Sequence, residues 1–266
     1  MKGLKIVVLA KQVPDTRNVG KDAMKADGTV NRAALPAIFN PEDLNALEQA
    51  LRIKDKIEGT TVHILTMGPG RAAEIIREAM YRGADGGYLL SDRAFAGSDT
   101  LATSYALACA LRNLQTDLLI CGRQAIDGDT AQVGPQISEH LDIPVISYAQ
   151  NIKVEGDSVI VERQYEDRYH VVKAKMPCLI TALSELNEPR YMTPGGIMDA
   201  FDKEITVWGR ADLKDVDDSN LGLKGSPTKI AKASDKVRKG AGEVVTLDPA
   251  EAAQYIVDKF KEKHVI

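Results

Sequence analysis

Residues 117–134 read DLLICGRQAIDGDTAQVG, an apolar run followed by a polar loop with small residues and then by the start of a helical pattern. The apolar run is short and almost uninterrupted, which is typical of a strand buried on both faces of a sheet. A strand that leads at once into a loop and a helix is the beginning of a βαβ unit. This stretch therefore indicates an α/β fold.

The same alternation of strand and helix continues on both sides of this stretch. The valine-rich run KIVVLA at 5–10 predicts a first strand, and Asn40 and Pro41 are suited to the N-cap and first position of a helix. Further strands are expected at 61–66, 87–90 and 144–148, and further helices at 72–81, 100–114 and 130–141. Such alternation implies right-handed crossovers and a mostly parallel sheet covered on both faces. We therefore predict a Rossmann-like three-layer α/β fold, in which ligands bind beyond the carboxyl ends of the strands.

The pattern changes after residue 150. Strand-like runs at 151–154 and 158–163 flank Glu155-Gly156-Asp157, a turn signal that predicts an added β-hairpin region. Two more strand-like runs follow at 169–175 and 178–182.

The C-terminal part has a different composition. Residues 215–243 are rich in Lys, Asp, Ser and Gly and cannot bury enough apolar surface to form a core of their own, whereas 250–263 have the spacing of an amphipathic helix. We therefore expect a nucleotide-binding domain over residues 1–214. Residues 215–266 are expected to form an extended C-terminal arm and helix that lie on a partner subunit.

Composition excludes several classes of function. The chain has 266 residues, a net charge of −4 and 5% aromatic residues, which argues against nucleic acid as a partner. It contains no apolar run of the roughly 18 residues needed for a membrane span and no signal-peptide pattern, so a cytoplasmic location is expected. Three cysteines and four histidines show no metal-ligand spacing, and no metal site is expected.

The polar loop at 122–134 is the strongest candidate binding site. Thr130 is a plausible N-cap, which would leave the amide groups of Ala131, Gln132 and Val133 at a helix N-terminus, where anions bind. Gly122 and Gly128 would allow close backbone approach and positive φ. Neither a GxGxxG motif nor a P-loop is present, and an ordinary turn is the alternative.

Other loops are expected at the same edge of the sheet. Residues 10–16, 66–70 and 97–100 each follow a predicted strand or precede a predicted helix. The chain has no GxSxG and no HExxH motif, and its loops hold several small or hydroxyl residues without one dominant nucleophile. We therefore expect binding rather than covalent catalysis, and a nucleotide-binding sensor of the universal-stress type is one alternative.

The loop at 122–134, taken with LNEPRY at 186–191, resembles the small (beta) subunit of the electron transfer flavoprotein family. The resemblance extends to 177–182, to Asn40-Pro41 and to the C-terminal arm. It implies a heterodimer with an alpha subunit that carries FAD. KQVPDT at 11–16, GSDT at 97–100 and DGDTAQ at 127–132 are similar to the flavin-bifurcating members of anaerobes. The resemblance therefore implies a second FAD in this chain, at the site where respiratory members hold AMP.

The implied function is electron transfer. Electrons from NADH would be divided between ferredoxin or flavodoxin and, through the FAD of the alpha subunit, an acyl-CoA dehydrogenase-type partner. The alternative is a non-bifurcating subunit that holds AMP structurally. The cofactor-binding residues implied by the family are Leu9, Asn40, Pro41, Thr66, Met67, Gly122, Arg123, Gln124, Ala125, Ile126, Asp127, Gly128, Asp129, Thr130, Ala131, Gln132 and Val133. The strand-end analysis adds Ser98, Asp99 and Thr100.

The loop at 191–200 corresponds to the partner-recognition position of the family. The candidate contact residues there are Tyr191, Met192, Pro194 and Ile197, and the two glycines Gly195 and Gly196 are expected to loosen the loop.

Overall fold

The computed structural model describes residues 2–15, 36–228 and 244–266. The chain divides into two compact units, Met1–Ala231 and Lys232–Ile266. Thr16 of the predicted first-strand loop and residues 229–243 of the predicted arm lie outside the described residues.

The first unit alternates strands and helices as expected. Its described strands are β1 (Lys5–Leu9), β2 (Gln12–Pro14), β3 (Ala37–Phe39), β4 (Thr61–Met67), β5 (Gly86–Leu90), β6 (Leu118–Gly122), β7 (Val145–Glu155), β8 (Ser158–Tyr165), β9 (Arg168–Lys175), β10 (Cys178–Ala182) and β11 (Thr206–Trp208). Its described helices are α1 (Pro41–Lys56), α2 (Ala73–Arg82), α3 (Thr100–Arg112), α4 (Val133–Leu141) and α5 (Pro194–Phe201).

The main sheet has nine strands in the order β11-β5-β4-β1-β6-β10-β7-β8-β9. The pairs from β11 to β7 are parallel, and β7, β8 and β9 are antiparallel neighbours. Strands β2 and β3 form a separate antiparallel pair. The predicted mostly parallel sheet with an added hairpin region is confirmed.

Neighbouring residues of the central strand β1 face opposite sides of the sheet. Ile6 and Val8 pack in the apolar cluster that contains α1 and α2, whereas Val7 and Leu9 pack in the cluster that contains α3 and α4. Because helices cover both faces, every side chain of this strand's interior is apolar. The three-layer arrangement is confirmed.

Strand β7 is longer than expected. The predicted strands at 144–148 and 151–154 are parts of one strand, which pairs in parallel with β10 and then in antiparallel with β8. The pairing shifts register between Ala149 and Asn151, and Tyr148 has a φ of 61°. The irregularity bends the strand, so it leaves the parallel sheet and enters the hairpin without a break in the chain.

Helix α4 begins at Val133 rather than at Thr130. Asp129 and Ala131 have φ values of 49° and 53°, in the left-handed region that a right-handed helix cannot include. The prediction of Thr130 as N-cap is therefore wrong, and the loop after β6 extends to Gln132.

The second unit contains α6 (Pro249–Glu262), one residue earlier at each end than the predicted helix over 250–263. Its residues Ile256, Val257 and Phe260 are exposed. Residues 213–228, which the sequence places largely in the arm, belong to the first unit, and Leu221 and Ser226 are buried there. The predicted domain boundary after residue 214 stays a prediction. No helix of the described ranges has the length and apolar character that a membrane crossing requires.

Candidate functional site

A cleft of about 440 Å³ lies at the carboxyl ends of β1, β4 and β6. The chain builds the sheet outward from β1, first through β4 and β5 on one side and then through β6 on the other. The boundary between β1 and β6 is thus the point at which the strand order reverses, where open α/β sheets bind their ligands.

Most of the predicted cofactor residues line this cleft. They are Leu9, Met67, Ser98, Asp99, Thr100, Gly122, Arg123, Gln124, Ala125, Gly128, Asp129, Thr130, Ala131, Gln132 and Val133. The predicted residues outside the lining are Asn40, Pro41, Thr66, Ile126 and Asp127. The cofactor assignments themselves stay predictions.

Other lining residues were not among the predicted cofactor residues, although Lys11 lies in the loop at 10–16 that was expected at this edge. Lys11 and Asp43 contribute charged groups, and Phe95, Thr103 and Leu107 line the cleft from α3 and the turn before it. Phe95 and Leu107 belong to the apolar core cluster on the α3 side, so their pattern in the sequence is that of ordinary core residues. Asp43 could have been predicted from the sequence, because it is a charged residue in the first turn of a helix, at the end of the element that faces the cleft.

Asn40 holds the loop after β6 instead of capping α1. It occupies the N-cap position but makes no side-chain cap hydrogen bond. Its Nδ2 donates to the carbonyl oxygen of Gln124 at 2.9 Å, and its Oδ1 accepts from the amide of Ile126 at 3.1 Å. The side chain is fully buried, so these two bonds fix the loop in a region from which water is excluded.

Glu42 and Asp43 also hold the loop after β6, and we call Asn40, Glu42 and Asp43 together the bracket. Glu42 accepts a hydrogen bond from the amide of Gln124 at 3.0 Å and pairs with Arg123 at 2.9 Å. Asp43 accepts from the amide of Gly122 at 2.8 Å and from the amide of Lys11 at 2.9 Å. The first turn of α1 thereby ties the ends of β1 and β6 together and fixes the start of the loop.

Two glycines allow the close approach of the loop and its neighbours. A Cβ at Gly122 would lie 2.6 Å from Asp43 Oδ1, and a Cβ at Gly134 would lie 2.9 Å from Cys121 Sγ. Gly128, in contrast, would place a Cβ with nothing within 4 Å. The positive φ expected at Gly122 and Gly128 occurs instead at Asp129 and Ala131. Left-handed backbone at Ala is costly and concentrates at ligand sites.

The acidic residues around the cleft are each held by a partner. Lys11 pairs with Asp127 at 2.8 Å, and Gln124 Nε2 donates to Asp129 at 3.1 Å. Asp99 caps α3 by accepting from the amides of Leu101 and Ala102. The carboxylate of Asp99 therefore already occupies the N-terminus of α3.

The start of α4 is different. The side chain of its N-cap Gln132 makes no cap hydrogen bond and instead accepts from Thr100 Oγ1 at 2.9 Å. Val133 and Gly134, the first residues of α4, line the cleft. The positive end of this helix therefore faces the cleft without a capping carboxylate, which favours an anionic ligand group.

Asp43→Asn is expected to remove a pH dependence of stability. Burial raises the pKa of Asp43 to about 7, whereas the unfolded carboxyl ionises near pH 4. Between these values the folded state holds a proton that the unfolded state has released, so the free energy of unfolding falls as the pH rises. From about pH 5 to pH 8, the wild type should lose about 3 kcal/mol relative to the variant. Urea unfolding of both full-length chains measures this difference, and a constant difference would contradict the prediction.

The cleft offers no activated nucleophile among its described residues. Cys121 is buried at its floor, and burial together with the nearby Asp43 and Glu42 raises the pKa of this thiol far above its usual value. A thiol that stays protonated is a poor nucleophile. The arrangement is suited to binding and orienting a ligand.

The predicted recognition loop forms helix α5 from Pro194 onward. Thr193 caps it by accepting from the amide of Gly196, and a Cβ at Gly196 would lie 2.4 Å from the carbonyl oxygen of Tyr81 on α2. The expectation that both glycines loosen a loop is therefore wrong, because Gly196 permits tight packing of α5. Gly195 has open space around its Cβ position.

The segment presents exposed apolar side chains. The exposed fraction is 87% for Tyr191, 76% for Met198 and 75% for Phe201, and it is 41% for both Met192 and Ile197. The sequence predicted a loop here, and a loop gives no periodicity from which Met198 and Phe201 could be found. In helix α5 these two residues are three positions apart and lie on the same face. We call Tyr191, Met198 and Phe201 the α5 patch.

Comparison with known proteins agrees with this architecture. A family model described as "Electron transfer flavoprotein domain" matches residues 27–213. The chain is 51% identical over 263 residues to the electron transfer flavoprotein subunit beta of Clostridium acetobutylicum, covering 99% of this chain and 100% of the relative. It is 49% identical over 265 residues, with the same coverage, to the caffeyl-CoA reductase-Etf complex subunit CarD of Acetobacterium woodii.

A third relative is the acryloyl-CoA reductase electron transfer subunit gamma of Anaerotignum propionicum, which is 47% identical over 270 residues and covers 99% of this chain and 100% of the relative. These matches agree with the resemblance first carried by the loop at 122–134 and by LNEPRY. The chain therefore belongs to the electron transfer flavoprotein family.

Proposed function

We propose that the chain is an electron-carrying beta subunit that binds FAD in the cleft and works together with an alpha subunit carrying a second FAD. In this proposal electrons come from NADH and are divided between ferredoxin or flavodoxin and an acyl-CoA dehydrogenase-type partner. The observation that carries the proposal is the near full-length identity to subunits named for CoA-reductase complexes. When bound, the flavin supplies the redox chemistry, because it exchanges electrons both in pairs and singly.

The residues of the cleft fit the parts of a flavin dinucleotide. The uncapped start of α4 is suited to a diphosphate. The guanidinium of Arg123 pairs with Glu42, but its buried Nε has no hydrogen-bond partner among the described residues and could donate to the same ligand group. Leu9, Met67 and Phe95 supply apolar surface for a planar ring. Because Asp127 and Asp129 already have partners, they do not present an unpaired charge to a phosphate.

The residues of this chain would bind and orient the cofactor. Asn40, Glu42 and Asp43 keep the loop in place before any ligand enters, so little ordering is left to occur on binding. Thr100 and Gln132 join the starts of α3 and α4 at the rim of the cleft.

AMP is the second candidate ligand. A volume of about 440 Å³ lies in the lower half of the range of about 300–1,000 Å³ for small-molecule sites, which favours a mononucleotide. A dinucleotide would have to extend part of its length beyond the cleft.

Counting the bound cofactors decides between the two candidates. We expect the purified alpha–beta heterodimer to release about two FAD per pair and no AMP, whereas one FAD with one AMP would contradict the proposal.

Gly128→Trp should remove the FAD of this chain and leave that of the alpha subunit, because it places an indole ring in the cleft. The matched control is Gly70→Trp, which also has nothing within 4 Å of its Cβ and lies outside the cleft lining; the control should retain both cofactors.

We also propose that the α5 patch is the docking surface for the dehydrogenase-type partner. The patch is supported by its three exposed apolar side chains on a segment that the family resemblance had already singled out. Exposed apolar side chains on one helix face, such as Met198 and Phe201, are typical of protein interaction sites.

A further inference from the structure

We infer that Glu48 is a positioning residue for partner docking, because its hydrogen bonds with Arg190 fix the position of the segment that carries the α5 patch. The inference rests on the proposed docking function of that patch. It is argued from the buried polar contacts between the middle of α1 and residues 187–190.

The first contact joins Asn45 on α1 to Asn187. Asn45 Nδ2 donates to the carbonyl oxygen of Asn187 at 2.6 Å, and Asn187 Nδ2 donates to the carbonyl oxygen of Asn45 at 3.0 Å. Asn45 is buried. A reciprocal pair of this kind fixes the register between helix and segment, because a shift of one residue would leave buried donors and acceptors unpaired.

The second contact lies one helical turn further along α1. Glu48 is 4% exposed and accepts hydrogen bonds from the Nε of Arg190 at 2.8 Å and from its amide at 3.1 Å. Its other oxygen accepts from Arg52 Nε at 2.7 Å. Burial alone would raise the pKa of Glu48, but the hydrogen bonds from Arg190 and Arg52 outweigh it and hold the pKa below its ordinary value.

The hydrogen bonds between Glu48 and Arg190 lie next to the α5 patch in the chain. Because Glu48 holds both the backbone and the side chain of Arg190, it fixes the residue that immediately precedes Tyr191 of the α5 patch. Arg82 on α2 adds a hydrogen bond to the carbonyl oxygen of Arg190. Helix α5 begins after only three more residues, so the segment has little length in which to absorb a displacement.

The same helix also holds the cofactor loop. Asp43 and Glu48 are separated by about 7.5 Å along the axis of α1, at about 1.5 Å per residue. One rigid helix therefore sets the position of both the loop after β6 and the segment before α5. A partner that docks on the α5 patch would meet it at a fixed place relative to the cleft.

The test is Glu48→Gln in the assembled heterodimer. Gln keeps the size of the side chain but has no charge and only one accepting oxygen, so it cannot serve both Arg190 and Arg52 and its hold on Arg190 is weakened. We expect the KM for an acyl-CoA dehydrogenase-type enzyme of the same organism to rise about tenfold, with kcat and cofactor content unchanged. Arg190→Lys should change the KM in the same direction and replaces Glu48→Gln if that variant does not assemble.

The matched control is Asp85→Asn. Asp85 also accepts from a backbone amide, that of Val62, and from a basic side chain of α1, Lys54, but it does not touch residues 187–190. It should lower the thermal stability to a similar extent and leave the KM unchanged. A rise in KM with both variants, a loss of cofactor with Glu48→Gln, or an unchanged KM with Glu48→Gln would overturn the inference.

A separate variant distinguishes failure of the inference from failure of the docking proposal. If Phe201→Ser leaves the KM unchanged, the α5 patch is not the docking surface. If Phe201→Ser raises the KM and Glu48→Gln does not, only the positioning role of Glu48 fails.

Discussion

Gly122→Ala is expected to lower the melting temperature by about 2–12 °C and to reduce FAD retention at least about tenfold. The added Cβ would lie 2.6 Å from Asp43 Oδ1 and 2.8 Å from the backbone carbon of Glu42. Overpacking of a rigid site costs about 1–3 kcal/mol, and each kcal/mol shifts the melting temperature of a domain of this size by about 2–4 °C. Backbone atoms must move, so the variant disturbs the bracket itself.

Gly128→Ala is the control for this prediction. It makes the same chemical change in the same loop, but its Cβ would meet nothing within 4 Å. We expect its melting temperature and FAD retention to match those of the wild type. Thermal unfolding and cofactor content are measured for both heterodimers. Equal melting temperatures and equal FAD retention in the two variants would mean that the close approach at Gly122 is unimportant.

Phe201→Ser is expected to weaken binding of the dehydrogenase-type partner by about 30-fold while leaving cofactor content and thermal stability unchanged. A hot-spot residue of an interface contributes about 2 kcal/mol or more, and 2 kcal/mol corresponds to about a 30-fold change in affinity; we expect Phe201 to be such a residue. The side chain is 75% exposed, so its loss removes little packing within the chain itself.

The control for Phe201→Ser is Tyr169→Ser on β9. Tyr169 is similarly exposed, at 65%, and lies on the strand at one edge of the sheet, whereas α5 packs on α2, toward the other edge. The KM for the partner in a steady-state assay, driven by NADH, measures both variants. If the tyrosine variant raises the KM as much as the phenylalanine variant does, docking is not localised to the α5 patch.

The fold could be predicted from the sequence because its signals are local. An uninterrupted valine-rich run at 5–10 and a helix start at Asn40-Pro41 identify their elements without reference to distant residues. The bounds of α4 could not be predicted in this way. The left-handed φ of Ala131 is imposed by the surrounding loop, and no local propensity of alanine indicates it.

The bracket around the loop after β6 was also beyond the reach of local patterns. Asn40 resembles an ordinary N-cap in sequence, and only the packing of α1 beside β6 shows that its side chain bonds to Gln124 and Ile126 instead. The same holds for Glu48, a charged residue of α1 whose partner Arg190 lies far along the chain. Contacts between distant segments decide the role of both residues.

Strand β10 has a consequence for synthesis on the ribosome. It lies between β6 and β7 in the sheet but follows both of them in the chain. Until residue 182 has left the exit tunnel, a nascent chain holds β6 and β7 with a gap between them and with unpaired strand edges, which are prone to misassembly. The amide of Arg123 also donates to the carbonyl oxygen of Ala182 at 2.9 Å. We therefore expect the mouth of the cleft to be completed only after residue 182 has emerged from the ribosome.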